Sequence, residues 1–172
     1  MTDKAITLEQ SKALAAPFGE EAVERTSGAM TGKGYDTTGI KYQFVVNRIN
    51  AVLGVGRFQT TATFKQQVNT SGKRPRHSAI VDMTLDLGYW SADGQWVTQA
   101  RAQSTGQHIS MTEGDAKKGA FTNALKKAAA MFGVGRQAYE GTIDDDNEPV
   151  PLPSKRQPNA SDRIAQLRRR GS

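Results

Sequence analysis

The stretch that decides the fold is AKKGAFTNALKKAAAMFGVGRQAYEG, which runs from Ala116 to Gly141. Four of its apolar residues recur at the spacing of one buried helical stripe, and these are Phe121, Leu125, Ala128 and Phe132. Thr112, with an acidic residue three positions later, resembles a capping box, and Gly133 provides a left-handed stop. The pattern therefore predicts an amphipathic helix over residues 113–132.

The lysines of this predicted helix give it a strongly basic surface. At about 100° per residue, Lys118, Thr122 and Lys126 lie on the flank beside the apolar stripe. Lys127 lies further towards solvent. No acidic residue follows Asp115 within the helix, although helices usually balance such charge at i, i+4. The pattern fits either a solvated basic face or a surface that binds phosphate groups.

Charge is unevenly distributed along the 172 residues, whose formal net charge is +6. Residues 41–136 hold thirteen Lys or Arg and five Asp or Glu, a local net charge of +8. An acidic segment over 137–153 separates this region from a basic stretch over 154–172. A basic centre of this kind favours a polyanionic partner, most simply nucleic acid.

Composition argues against several other classes of protein. The chain has no cysteine, which excludes disulfides and thiolate metal sites and leads us to expect a cytoplasmic protein. No apolar run approaches the roughly 18 residues that span a bilayer, and no signal-peptide pattern is visible. His77 and His108 are too few and too far apart to indicate a metal site. We expect no cofactor, no metal and no membrane association.

The rest of the pattern predicts an α+β fold, in which helices pack on an antiparallel β-meander with a β-β-β-α core. The predicted elements are a helix over 7–16, a weak strand over 22–27, a glycine-rich loop over 28–39, a helix over 40–53, strands over 57–68, 78–90 and 95–107, and the lysine helix. We expect residues 1–143 to form the folded domain. Residues 144–172 read as a disordered tail, acidic and proline-rich first and basic later.

Enzyme motifs are incomplete in this chain. GAMTGKG over 28–34 lacks the spacing and the Ser or Thr of a phosphate-binding loop. Gly133 and Gly135 follow a helix rather than a strand, which does not fit a dinucleotide-binding turn. The acidic cluster Asp144 to Asp146 lies in the proline-rich segment, without the rigid support that a metal-dependent nuclease needs. We therefore expect a protein that is not an enzyme.

Other basic residues support a nucleic-acid surface. Those in or near the meander are Lys73, Arg74, Arg76, Arg57, Arg101 and Arg136, and their guanidinium groups can hold phosphates bidentately. Three aromatic residues, Tyr89, Trp90 and Trp96, flank the second hairpin. They could stack on unpaired bases or pack across the strands.

Three stretches together resemble the Rad52-type single-strand annealing proteins, especially short bacterial and bacteriophage members related to DdrA. They are LEQSKALAAPFGEEAVERT from Leu8, IKYQFVVNRINAVLGVGRF from Ile40, and the lysine helix with its glycine stop. The resemblance covers about residues 7–143 and is most specific in the final helix. Erf-type phage annealing proteins share part of the same pattern.

The resemblance implies a homo-oligomeric ring or filament that binds single-stranded DNA and anneals complementary strands without ATP. It implies a role in homologous recombination or repair, as a phage recombinase in the cytoplasm of a bacterial host. One alternative is a protein that protects single strands or DNA ends without annealing them. Another is a small nuclease that uses the acidic cluster. The tail could attract DNA or dock a host single-strand binding protein, and an exonuclease is a further possible partner.

By position, the resemblance assigns DNA contacts to four residues of the final helix, Lys118, Thr122, Lys126 and Lys127, the last two contacting the backbone. Phe44 stands where some relatives are basic, so the contribution of that helix falls to Lys41 or Arg48. Ala130 also stands where some relatives carry arginine. Arg76 matches a basic residue that contacts a second strand. We expect the lysines and the Arg76 hairpin to face each other across a groove that only an oligomer completes.

Overall fold

The computed structural model describes residues 5–28, 37–70 and 75–140, and it confirms the predicted α+β fold with an antiparallel three-stranded sheet. The helices are α1 (Leu8–Leu14), α2 (Tyr42–Leu53) and α3 (Glu113–Ala130). The strands are β1 (Val23–Thr26), β2 (Thr37–Ile40), β3 (Phe58–Asn69), β4 (Arg76–Trp90) and β5 (Trp96–Ser110). Of the described residues, 5–24 and 38–140 belong to one compact unit, and 25–28 and 37 to another.

The main sheet is a meander in the order β3-β4-β5. The pairing of β3 with β4 runs without a register shift from Phe58 opposite Leu87 to Asn69 opposite Arg76. The β4–β5 pairing is also antiparallel, with one irregularity between Leu87 and Gly88. Strands β3 and β5 are therefore the two edges of the sheet.

Strands β1 and β2 form a separate two-stranded sheet. The sequence predicts β1 but assigns the segment of β2 to a glycine-rich loop. Strand β2 has the sequence TTGI, which is four residues long and contains a glycine. So short a segment shows neither the alternation nor the length that identifies a strand from sequence.

The two faces of the meander differ in burial. Alternate residues of β4 are buried beneath α3, and these are Ala79, Val81, Met83, Leu85 and Leu87. Side chains alternate along a strand and register partners share a face. The even-numbered residues of β4 from Arg76 to Asp86, with their partners on β3 and β5, therefore form the opposite surface, which we call the open face. Helix α3 packs across β4 and β5 on the buried face.

Helix α3 approaches the sheet mainly through alanines, and only part of the predicted apolar stripe is buried. Its buried residues are Ala116, Ala120, Ala124, Leu125, Ala128 and Ala129, whereas Phe121 and Phe132 are only partly buried. A Cβ atom on Gly106 of β5 would lie 2.1 Å from the main-chain oxygen of Ala120. The backbones of α3 and β5 are thus too close for a side chain at Gly106, and this contact fixes the rotation of the helix. Of the predicted stripe, Leu125 and Ala128 are buried.

Candidate nucleic-acid interface

The basic surface of α3 begins at a well-formed N-terminus. The Thr112 hydroxyl accepts a hydrogen bond from the main-chain N–H of Asp115 at 3.2 Å and donates to its carboxylate at 2.8 Å. This confirms Thr112 as the N-cap. The chain leaves the helix after Ala130, and Gly133 adopts a φ of 90°, which favours glycine.

The predicted basic pair of α3 is divided between two flanks of the helix. The Lys126 ammonium contacts the Glu24 carboxylate of β1, and its side chain is only 16% exposed. The Lys127 ammonium donates instead to the main-chain carbonyl of Thr105 on β5, at 3.1 Å. Neighbouring residues of a helix point about 100° apart, so the alanine contact with the sheet sends these two lysines in different directions.

Lys127 acts together with Asn123 at the edge of the sheet. Asn123 lies one helical turn earlier and donates its side-chain amide to the carbonyl of Gln107 at 3.1 Å. Both acceptors belong to edge strand β5. Edge strands present unpaired main-chain groups that can form hydrogen bonds with a further strand. The two side chains therefore cover part of this edge, a contribution separate from any contact with DNA.

Lys118 is the most available cation of the four assigned positions. It is exposed, and within the described ranges its ammonium has no ion-pair or hydrogen-bond partner. The Thr122 hydroxyl donates back to the carbonyls of Lys118 and Gly119, at 3.1 and 3.0 Å. Lys117 pairs with Glu113 at 2.7 Å, and that hydrogen bond is the main cause of a lowered Glu113 pKa. The helix thus presents one free ammonium and several engaged ones.

Arg48 of α2 and Lys41, which directly precedes α2, both contact the N-terminal segment of the chain. The Arg48 guanidinium donates to the carbonyls of Ala13 and Ala16, at 3.1 and 2.6 Å, and lies 4.1 Å from the centre of the Phe18 ring. It thereby satisfies carbonyls at the end of α1, where a helix lacks internal donors. Lys41 donates to the carbonyl of Glu21 at 2.7 Å. Both predicted contact residues hold the first segment against α2.

Arg57 and the aromatic residues lie around the start of β3. The Arg57 guanidinium donates to the carbonyl of Gly88 at 2.6 Å and lies 5.7 Å from the centre of the Tyr89 ring. Trp90 and Trp96 are opposite each other in the β4–β5 pairing, with ring centres 5.5 Å apart in an edge-to-face arrangement. The two tryptophans therefore make the cross-strand contact that was one of the two interpretations of the sequence.

Two ion pairs lie on the open face, between Lys65 and Asp82 and between Arg101 and Asp86. Arg101 makes two hydrogen bonds to the Asp86 carboxylate, at 2.7 and 3.0 Å, and this contact raises the pKa of Arg101. The pKa of Asp82 is lowered first by the hydrogen bond from Thr105 and then by Lys65. Such exposed pairs contribute little to stability. Their cations are largely neutralised by neighbouring carboxylates.

The structure separates Arg76 from the lysines of α3. Arg76 begins β4 and is exposed. Its position in the strand places it on the open face, away from α3. Within one chain it therefore does not form a groove with Lys118 and Lys126. Lys73 and Arg74 lie outside the described residues, and Arg136, also exposed, pairs with Glu140.

This chain matches the model of the Rad52/22 family of double-strand break repair proteins over residues 7–150. It belongs to that family. Members of the Rad52/22 family act in DNA repair and recombination, bind DNA, anneal single strands and oligomerise. The match includes every described helix and strand of the chain. A search of curated proteins finds no match.

Two residues of this Rad52/22-family surface were not predicted from sequence. Asn123 precedes Lys127 by four residues, so the i, i+4 spacing could have indicated that they share a flank. Glu24 is 102 residues from its partner Lys126. No local spacing relates them, because the contact depends on how β1 packs beside α3.

The described residues were also compared with the requirements of a metal site and of a membrane-spanning helix. Among residues 5–28, 37–70 and 75–140, no three His, Asp or Glu side chains come together as a metal site would require. In the same ranges, no helix has both the length and the apolar character needed to cross a bilayer. The cluster Asp144 to Asp146 and the predicted tail lie outside the described residues.

Proposed function

We propose that this chain binds single-stranded DNA and anneals complementary strands without ATP, as an assembly of identical subunits in homologous recombination or repair. The observation that carries the proposal is the outer surface of α3. There an alanine face holds the helix on the meander and leaves Lys118 exposed, while Lys126 contacts Glu24 of β1 and Lys127 contacts edge strand β5. The family match supports a Rad52-type annealing protein over an Erf-type one.

The proposed mechanism needs cations but no catalytic centre. Two DNA strands repel each other, and lysines that contact phosphates reduce this repulsion while the bases remain free to test pairing. Base pairing then supplies the specificity. The protein would not act as an enzyme and would use no cofactor. A phage recombinase working in the cytoplasm of a bacterial host, with a single-strand binding protein or an exonuclease as partner, fits the resemblance to short bacterial and phage members.

Assembly is part of the proposal because, among residues 5–28, 37–70 and 75–140, most cations of one subunit already have partners. Linking subunits raises the effective concentration of each weak contact along a continuous strand. The described surface offers an unoccupied region for such assembly at β3. Phe64 and Val68 lie on its helix side and are 38% and 56% exposed, because α3 packs mainly on β4 and β5, although its Glu113 accepts a hydrogen bond from Gln66 of β3.

The test is an annealing assay with complementary labelled oligonucleotides, with and without ATP. We expect annealing in both conditions, and a strong reduction in a variant that combines Lys126→Ala with Lys127→Ala. Lys118→Ala should also weaken single-strand binding and lower its logarithmic salt dependence by about 0.7, the value for one phosphate contact. Lys117→Ala is the matched control, because that lysine is on the same helix but already pairs with Glu113.

Control measurements distinguish an unfolded variant from a wrongly assigned site, and annealing from the two alternative functions. Thermal unfolding must show that each variant remains folded, since Lys126 and Lys127 also make structural contacts. Normal annealing by the folded double variant would refute the site. Tight binding by the wild-type chain without faster pairing would instead support the protective single-strand binder. Magnesium-dependent degradation of the oligonucleotides would support the nuclease.

A further inference from the structure

The ion pair between Lys126 and Glu24 lies within the proposed DNA site. Lys126 is assigned to the DNA backbone, yet its ammonium already has an anionic partner. The Lys126 side chain is 16% exposed and that of Glu24 is 43% exposed. In the described part of the chain, Glu24 is the sole ion-pair partner of Lys126. The Glu24 carboxylate is thus more accessible to solvent than the Lys126 ammonium.

Two other residues lie close to this ion pair. A Cβ atom on Gly39 of β2 would lie 3.3 Å from the Glu24 carboxylate and 3.8 Å from the Lys126 ammonium. Only glycine leaves this space uncrowded. Tyr139, after α3, lies within electrostatic reach, since burial raises its pKa and the charge of Glu24 raises it further. The pair is therefore held in a defined place and is not a chance meeting of two long side chains.

The chemistry of the pair makes Glu24 a substitute for a DNA phosphate. A carboxylate and a phosphate both offer anionic oxygens to an ammonium group. While Glu24 occupies Lys126, the two charges cancel and the site offers no net attraction to DNA. Among the described residues, Lys118 has no such partner. The surface of α3 thus holds one open cation and one whose charge is balanced from within the chain.

We propose that Glu24 is a built-in competitor for DNA phosphate at Lys126, so that binding at this position requires the carboxylate to be displaced. The inference rests on the proposed function, because it assumes that α3 binds single-stranded DNA. An ion pair whose carboxylate is accessible to solvent can exchange with partners from solution. Glu24 therefore lowers affinity without abolishing it, and it reduces the number of cations that DNA meets in the free protein.

The test is a double-mutant cycle with Glu24→Gln and Lys126→Gln. Glutamine keeps the size of Glu24 and can still accept a hydrogen bond from Lys126, but it removes the negative charge. Binding of a short fluorescent oligothymidine is measured by anisotropy over a range of salt concentrations. Glu113→Gln is the matched control, because it removes the same charge from the Lys117 ion pair on the same helix. Thermal unfolding and particle mass are measured for every variant.

We expect Glu24→Gln to tighten binding roughly two- to fivefold, the scale of a competing ion pair that solvent can reach on its carboxylate side. We also expect it to steepen the logarithmic salt dependence by about 0.7, because one more phosphate is neutralised. Both effects should exceed those of Glu113→Gln. Both should vanish when Lys126 is replaced by Gln. A further variant, Glu24→Asp, keeps the charge but shortens its reach, and should give an intermediate affinity even if Glu24→Gln folds poorly.

Two results would overturn the inference. Equal effects of Glu24→Gln and Glu113→Gln would show that only total charge matters. An equal gain from Glu24→Gln with and without Lys126 would show that Glu24 acts elsewhere. Failure of the proposed function looks different, since the wild-type chain would then show no salt-dependent binding of the oligonucleotide.

Discussion

At the scale of single residues, three lysines of helix α3 have different surroundings. Lys126 meets a carboxylate from β1, Lys127 meets a carbonyl of β5, and Lys118 is exposed. Residue type and position in the chain do not distinguish them. What distinguishes them is the rotation of α3, which is set by the close contact between Gly106 and Ala120. The proposed DNA surface therefore depends on a glycine that lies beneath it.

Replacing Gly106 by alanine should destabilise the fold. The new Cβ atom would lie 2.1 Å from the Ala120 main-chain oxygen and 2.6 Å from the Ala124 main-chain nitrogen, so backbone must move. Overpacking of this kind typically costs about 1–3 kcal/mol, and we expect a loss at or above the upper end. Chemical denaturation monitored by circular dichroism would measure it.

The matched control for this prediction is Gly114→Ala, in the first turn of the same helix. A Cβ atom at Gly114 meets nothing within 4 Å. Because alanine is the better helix former, this variant should be neutral or more stable by about 0.5–1 kcal/mol. If Gly106→Ala unfolded at the same denaturant concentration as wild type, the close approach of α3 to β5 would be contradicted.

At the scale of elements, the sequence predicts the type and order of most helices and strands. Helix α2 buries Val45, Ile49 and Leu53, as its spacing indicates, and the turn residues locate the meander. The rotation of α3 could not be predicted, because the periodicity favoured large apolar residues whereas the helix packs through small ones. The partner of Lys126 was also inaccessible, since an ion pair across 102 residues leaves no periodic signal.

The two edges of the meander differ in how they are protected. Asn123 and Lys127 donate to carbonyls of β5. In residues 58–68, no described side chain donates to a main-chain carbonyl of β3. Strand β3 also has only one charged residue, Lys65, among its twelve residues. Exposed edges of this length with little charge favour association with other chains, which makes β3 the better candidate for contact between subunits.

Placing charge on β3 should therefore weaken assembly. Val68→Lys adds an exposed lysine to the apolar side of the strand, and lysine is a common means of preventing edge association. We expect a smaller particle mass in light scattering, because a charge would have to be buried between subunits. Phe64→Thr should act in the same direction while keeping β propensity.

A control for the β3 variants is available on the opposite face of the same strand. Gln67 is exposed and lies on the open face, so Gln67→Thr should leave the particle mass unchanged. An unchanged mass for Val68→Lys, together with a normal unfolding curve, would show that this side of β3 takes no part in assembly.

At the scale of the whole molecule, DNA binding and assembly should depend on each other. The described cations of one chain are mostly engaged with other groups, so the described surface of a single subunit offers few free contacts for phosphates. An assembly repeats these contacts along the strand, and each bound subunit raises the effective concentration of the next. Rings or filaments in negative-stain images, with and without DNA, would reveal such an assembly directly.

The same coupling predicts how affinity varies with the length of DNA. For the wild-type chain, the dissociation constant should fall steeply once an oligonucleotide is long enough to contact several subunits. For a Val68→Lys variant with reduced mass, the fall should be shallow, because its Lys118 surface is intact but is no longer repeated. Anisotropy titrations with oligothymidines of increasing length would measure both curves. The shortest oligonucleotide is the internal control, since both proteins should bind it equally. If the dissociated variant retained the steep length dependence, assembly would not be the source of affinity, and the contacts of a single subunit would have to suffice.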